Sequence, residues 1–155
     1  MRKRIIIQEG TNRQDQNWLD LENIASAEIT SEDASHPIES ALQVNEGLGW
    51  LSSKPGLQKV RLLFDNPLQV KHIRLVFQVD DQSRTQEFLL RWSSDFGKSY
   101  REIVRQQYNF SPPNNTREIE DYTVDLTGLT TLELSIIPDI SGGLARASLR
   151  QLLLA

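Results

Sequence analysis

Arg84, in the stretch Asp80-Asp81-Gln82-Ser83-Arg84-Thr85, carries the most versatile binding chemistry in this chain. A planar guanidinium can donate two parallel hydrogen bonds to a vicinal pair of hydroxyls. It can equally close a surface ion pair with Asp80 or Asp81, and on that reading Arg84→Ala would shift stability by less than about 0.5 kcal/mol. Trp50 follows Gly47-Leu48-Gly49, where backbone freedom lets the ring either lid the core or stand open. His36 precedes Pro37 and is either a helix-entry residue or a ligand contact. Tyr108 and Phe110 run out to Pro112-Pro113, with Asn114 beyond. Either these rings face the core and the prolines end a strand, or they offer rigid aromatic surface beside amides that bond hydroxyls.

Bond-breaking chemistry is far less visible. The chain has no cysteine and two histidines, His36 and His72. Thiolate nucleophiles, zinc-thiolate sites and disulfides are therefore excluded. The histidines do not fall at the short spacings of metal sites, and His72, just before an apolar alternation, reads as a polar strand end. Carboxylates are abundant, but nothing in the sequence marks two of them as an acid and a base. Ser141-Gly142-Gly143 reads as a turn and not as a phosphate cradle. The expectation is a protein that is not an enzyme and carries no cofactor or metal.

The elements that must position these residues are strands. Val60, Leu62 and Phe64 alternate with polar or smaller positions, as do Ile73 to Val79, Phe88 to Trp92, Tyr122 to Leu126 and Leu132 to Ile136. This period of two marks half-buried antiparallel strands. Turn signals separate them: Lys54-Pro55-Gly56, Asp65-Asn66-Pro67, Asp80 to Ser83, Asp95 to Lys98, Pro112 to Asn115 and Ser141 to Gly143. His36 to Val44 is the one helical candidate, with Pro37 suited to a first helical position. At 155 residues the chain is expected to form a single domain over 1–155. The fold class expected is all-β, an eight-stranded jelly-roll β-sandwich with eight main strands.

Charge and hydropathy narrow the partners. Seventeen basic and 21 acidic residues give a net charge of −4. Met1 to Arg4 is the only basic cluster, so no nucleic-acid partner is expected. No stretch approaches the ~18 apolar residues of a membrane span, and Ile5 to Ile7 is too short for a secretory core. With no cysteine, a reducing cytoplasm is the simplest compartment expected.

The segment Ser93-x-Asp95-x-Gly97-x-Ser99-Tyr100 resembles the Asp-box turn of sialidase propellers. One such segment in 155 residues cannot build a propeller of four-stranded blades, each on the order of 40–50 residues. The order of motifs around it resembles the discoidin-like, galactose-binding-like domains, also called coagulation-factor type C domains. Upstream, Ala25 to Phe77 contains an Ala/Ser strand, a short helical turn, a Gly-Leu-Gly-Trp loop and a strand, Pro turn, strand hairpin. Downstream, Thr130 to Ala155 is similar to the closing strand pair. The resemblance covers about Asn23 to Ala155 and is closest to intracellular, cysteine-free members.

That resemblance implies a non-catalytic binding module whose leading partner is a glycan, held by loops at one end of the sandwich. A protein-interaction module of the same fold is the alternative. Arg84 holds the position of an arginine that related carbohydrate-binding modules place before the hairpin strand. His36 and Trp50 would lie near it, and Tyr108, Phe110 and Asn114 would make a second contribution. The family's structural calcium is expected to be dispensable, because the acidic calcium turn reads Asn45-Glu46-Gly47-Leu48-Gly49-Trp50 and Gln151 stands near a usual glutamate.

Overall fold

A computed structural model of the chain describes residues 1–4 and 17–155. The Ile5 to Ile7 run lies outside the described residues. The described chain forms a helical turn α1 (Leu21–Ile24), strand β1 (Ala25–Ile29) and a 3-10 turn at Ile38–Ala41. Strands β2 (Trp50–Pro55), β3 (Gln58–Gln78), β4 (Arg84–Ser93) and β5 (Arg101–Phe110) follow. The chain closes with β6 (Arg117–Ile137), β7 (Arg146–Leu149) and β8 (Gln151–Leu154). Pro37 precedes the 3-10 turn in an extended conformation (ψ 160°) instead of opening it.

The two 21-residue strands organise everything. β3 and β6 pair antiparallel from Gln58↔Ile136 to Gln78↔Arg117. The first part of β3 also pairs β1, and its last part pairs β8. β4 pairs the final part of β6, and β5 lies beyond β4. Phe77 and Phe88 show that this ribbon folds over on itself. Their partners along β6, Glu118 and Ile136, would be about 60 Å apart on a straight strand. Their ring centroids are 5.1 Å apart. The two ends of the ribbon thus face each other as layers of a β-sandwich.

The bend falls where the register of β3 against β6 shifts, between Leu63 and Leu68 and again near Val70. Asp65-Asn66-Pro67 sits in the first shift. It was expected to be a turn ending one strand and starting another, but the strand runs through it. Proline is tolerated there because a bulge needs no ladder hydrogen bond at that position.

Inward residues fill the space between the layers. Val60, Leu62, Leu75, Phe77, Phe88, Leu90, Leu132, Leu134 and Ile136 are buried, as their alternation predicts. Trp92 follows the pattern only in part. It packs against the core but is only half-buried, with Arg101 5.8 Å from its ring, while Ser93 after it is buried. Within the sheet, on the face opposite Leu132 and Leu134, Glu133 is fully buried between Arg61 (2.7 Å) and Arg91 (2.7 Å). Burial pushes its carboxyl up, but the Arg91 and Arg61 hydrogen bonds outweigh it and hold it below the ordinary range. Arg91 also lies 4.1 Å from the Tyr100 ring centroid, which places Tyr100 under that arginine and not in the core.

A polar cluster closes one flank. Gln106 of β5 donates to Glu118 (3.0 Å) and to Glu120, and its carbonyl accepts from Tyr122 (2.9 Å). Burial, together with Glu120 alongside, pushes the Glu118 carboxyl up to about 8. The folded protein therefore keeps a proton that the unfolded chain releases above pH ~4.3. Stability from this group is complete below that range and falls as pH rises towards 8. Urea midpoints at pH 5, 6.5 and 8 should decline for the native chain and flatten for Glu118→Gln. An unchanged slope in the variant would assign the decline to other groups.

Candidate functional site

The Asp-box-like hairpin from Ser93 to Tyr100 is occupied by its own hydrogen bonds. Asp95 accepts from the Ser93 hydroxyl (2.6 Å), the Ser99 hydroxyl (2.6 Å) and the Ser99 amide (2.9 Å). The Ser93 hydroxyl in turn accepts from the Asp95 and Gly97 amides. These contacts, with those from Ser93 and Ser99 dominant, hold the Asp95 carboxyl at about 2. The hairpin is a structural clasp.

A cleft of ≈ 420 Å³ lies elsewhere, lined among others by His36, Trp50, Asp80, Asp81, Arg84 and Arg146. Three of the residues singled out from sequence, His36, Trp50 and Arg84, thus come together. Four separate loops and strand ends supply this wall. Arg84 opens β4 in phase with Gln86, Phe88 and Leu90, so its side chain points inward. That side chain is only 4% exposed, with Nη1 3.7 Å from Asp81 Oδ2. Its Nε and Nη1 have no hydrogen-bond partner. Two buried guanidinium nitrogens without a hydrogen-bond acceptor are costly, and polar groups left in this state need an explanation. The ion pair with Asp81 offered by the sequence does form, but the guanidinium that makes it is buried and not at the surface.

His36 is held in place by its neighbours. Its Nδ1 lies 3.4 Å from Asp33 Oδ1, and its carbonyl accepts from the Leu51 amide. Asp33 also meets Arg146 at 3.4 Å. The Ser35 amide, then His36 and Arg146, hold the Asp33 carboxyl below its ordinary range.

Trp50 belongs to the core. It is 1% exposed, and its Nε1 donates to Ser31 O at 3.1 Å. Gly49 before it has φ +79°, and a Cβ there would fall 2.4 Å from Leu149 O. The glycine thus lets the chain press against β7 and drive the ring inward. Trp50 backs the cleft without presenting its face. Apolar surface at the mouth comes instead from Leu48 and Leu144, 69% and 87% exposed. Sequence reasoning missed both. Their signal was a leucine directly after a glycine in a loop, outside any strand period.

Tyr108, Phe110 and Asn114 do not join this wall. Phe110 pairs with Arg84 across β4 and β5, so its loop opens at the same end. Its ring is nevertheless buried against Tyr108, with centroids 4.8 Å apart. The Tyr108 hydroxyl donates to Asn115 Oδ1 at 2.8 Å. Asn114 is exposed in the turn, its amide donating to Ser111 O. Of the two alternatives the sequence left open, Phe110 takes the core-facing one and Tyr108 is half-buried beside it, because the alternation of β5 turns Phe110 inward.

The loop before β2 bears on calcium. Gln151 is buried, and its side-chain Nε2 donates to Gln43 O (2.9 Å) and Val44 O (3.0 Å). Arg150 Nη1 donates to Gly47 O at 3.3 Å. Three carbonyl oxygens of this loop are thus engaged by an amide and a guanidinium.

No protein-family model matches the chain, and no curated protein matches it. Solved structures do. A family 32 carbohydrate-binding module of C. perfringens NanJ, in complex with galactose, is 13% identical with a TM-score of 0.61, covering 87% of this chain and 96% of that one. The module CpGH89CBM32-5 from Clostridium perfringens, in complex with GalNAc-β-1,3-galactose, is 15% identical with a TM-score of 0.64, covering 89% and 99%. The CBM32 of AlyQ, in complex with 4,5-unsaturated mannuronic acid, is 16% identical with a TM-score of 0.61, covering 85% and 95%. At these identities the likeness shows the fold alone: the antiparallel β-sandwich expected from the sequence.

Proposed function

We propose that this chain is a non-catalytic glycan-binding module and that the Arg84 cleft holds a sugar unit. The observation that carries the reading is the nearly buried Arg84 guanidinium with two unpartnered nitrogens in the wall of a concave cleft. Such a cation calls for acceptors, and a vicinal pair of hydroxyls matches its fork. Asp80 and Asp81 stand in the same wall as acceptors for hydroxyl protons. Leu48 and Leu144 offer apolar surface for the C–H face of a ring. Opposite charges within the wall favour a neutral sugar over an anionic one. The solved structures of this fold in complex with galactose, GalNAc-β-1,3-galactose or unsaturated mannuronic acid, and that of a pectin-binding module, support the glycan class. A glycan array followed by titration of each hit tests it. Saturable binding of a neutral glycan is expected, and an array without hits refutes the reading.

Leu48 and Leu144 also favour a second reading, in which the same mouth receives an apolar side chain of a protein partner. Charge substitution at both leucines then separates the two. A glycan site loses part of its affinity, while a protein-only site leaves the array empty from the outset.

We also propose that the fold needs no calcium, because Gln151 and Arg150 tether the loop that a cation would otherwise gather. A chelator should leave the melting temperature unchanged, and added calcium should not raise it. A shift of several degrees in either experiment would mean that a cation binds the native state preferentially.

A further inference from the structure

A second cleft, of ≈ 450 Å³, opens at the same end of the sandwich, and Arg84 belongs to the walls of both. The start of β4, the end of β5 and the Asp139–Ser141 turn bound it. The Ile140 amide donates to Thr85 O at 2.9 Å, which fixes the turn against the strand.

The polar groups in this cleft are organised and incompletely used. Thr85 Oγ1 donates to Asn109 Oδ1 at 2.6 Å, which sets the orientation of the amide. The Asn109 NH₂ then has no partner among the described residues. Asp139 Oδ1 accepts from the Ser141 amide (3.0 Å) and hydroxyl (2.7 Å), leaving Oδ2 open. The Ser141 contacts, and more weakly the Arg84 charge, hold the Asp139 carboxyl below its ordinary range. It therefore stays an acceptor at neutral pH. Ile140, 50% exposed, supplies apolar surface beside them. A donor, an acceptor and an aliphatic face thus recur in the same combination as in the first cleft. Between the two sits the nearly buried Arg84, whose Nε and Nη1 have no partner.

We propose that the second cleft is a second sugar subsite, so that the module takes an oligosaccharide of at least two units with Arg84 at their junction. This rests on the glycan reading of the first cleft and extends it. A monosaccharide fills the first cleft alone. The next unit binds the Asn109 amide and Asp139 through hydroxyls and covers Ile140.

The test uses galactose and GalNAc-β-1,3-galactose, titrated calorimetrically against the native chain, Asn109→Ala and Ile140→Ala. The native chain should bind the disaccharide about tenfold more tightly than galactose, the equivalent of one to two net hydrogen bonds. Both variants should keep their affinity for galactose within about twofold, a change small beside that gain. They should lose the gain for the disaccharide. Because Asn109 and Ile140 are exposed, melting temperatures close to the native value exclude a folding defect. Galactose binding without a chain-length gain, or a gain that survives both variants, overturns the second subsite and leaves the first intact. Failure of both sugars to bind overturns it, and the glycan reading falls with it only when the array is empty as well.

Discussion

Trp50→Ala should lower the stability of this protein by about 3–5 kcal/mol, as truncations of fully buried large aromatic residues do. The ring is 1% exposed, and its residue pairs with Leu149 where β2 meets β7. Its indole N–H also holds Ser31 O. Ser31 is itself a junction, since its hydroxyl donates to Gln58 and accepts from the Ser53 and Lys54 amides. Removing the ring leaves a void and frees the segment that leads to His36. Trp50→Phe keeps most of the apolar contact and loses the hydrogen bond, so about 1–2 kcal/mol is expected. Urea midpoints at an unchanged slope measure both. A loss below about 1 kcal/mol for the alanine variant would show that the cleft can collapse onto the missing ring.

Arg84→Met should abolish glycan binding while leaving the protein as stable or more stable, by up to about 1–4 kcal/mol, as hydrophobic replacement of buried ionic groups often does. The native side chain is 4% exposed, and its ion pair with Asp81 is long at 3.7 Å. Methionine fills similar volume and removes the unsatisfied donors. Asp81, 68% exposed, remains solvated when its cation is gone. Alanine is the poorer probe, because it would open a cavity and mix two effects. Titration with the array hits and chemical denaturation read the two consequences separately. Equal affinities would remove Arg84 from the site. A clear loss of stability would make it a structural residue. Binding lost together with stability gained is the signature of a side chain held in an unfavourable state for function.

Much of this protein was determined by its sequence alone. Period-two alternation placed the strands and most of the core, because one face of each strand meets the apolar interior and the other does not. The Ser-x-Asp-x-Gly turn was legible because its hydrogen bonds join residues within four positions of one another. Even the burial of Arg84 had a signal: continuing the β4 alternation back from Leu90, Phe88 and Gln86 puts Arg84 on the inward face.

Tertiary structure decided the rest. Asp65-Asn66-Pro67 carries turn chemistry, yet pairing along β6 carries β3 through it, and the result is a bend between layers instead of a hairpin. Trp92 continues the β4 alternation and packs against the core, yet it is only half-buried near the strand's end with Arg101 close to its ring, a degree of cover that no local preference announces. The cleft itself joins His36, Leu48, Arg84 and Leu144, residues far apart in the chain. Their meeting depends on how the folded ribbon brings its loops to one end. Trp50 was fixed inward by the close approach of Gly49 to Leu149 O, a contact between β2 and β7 that exists only once both layers are assembled.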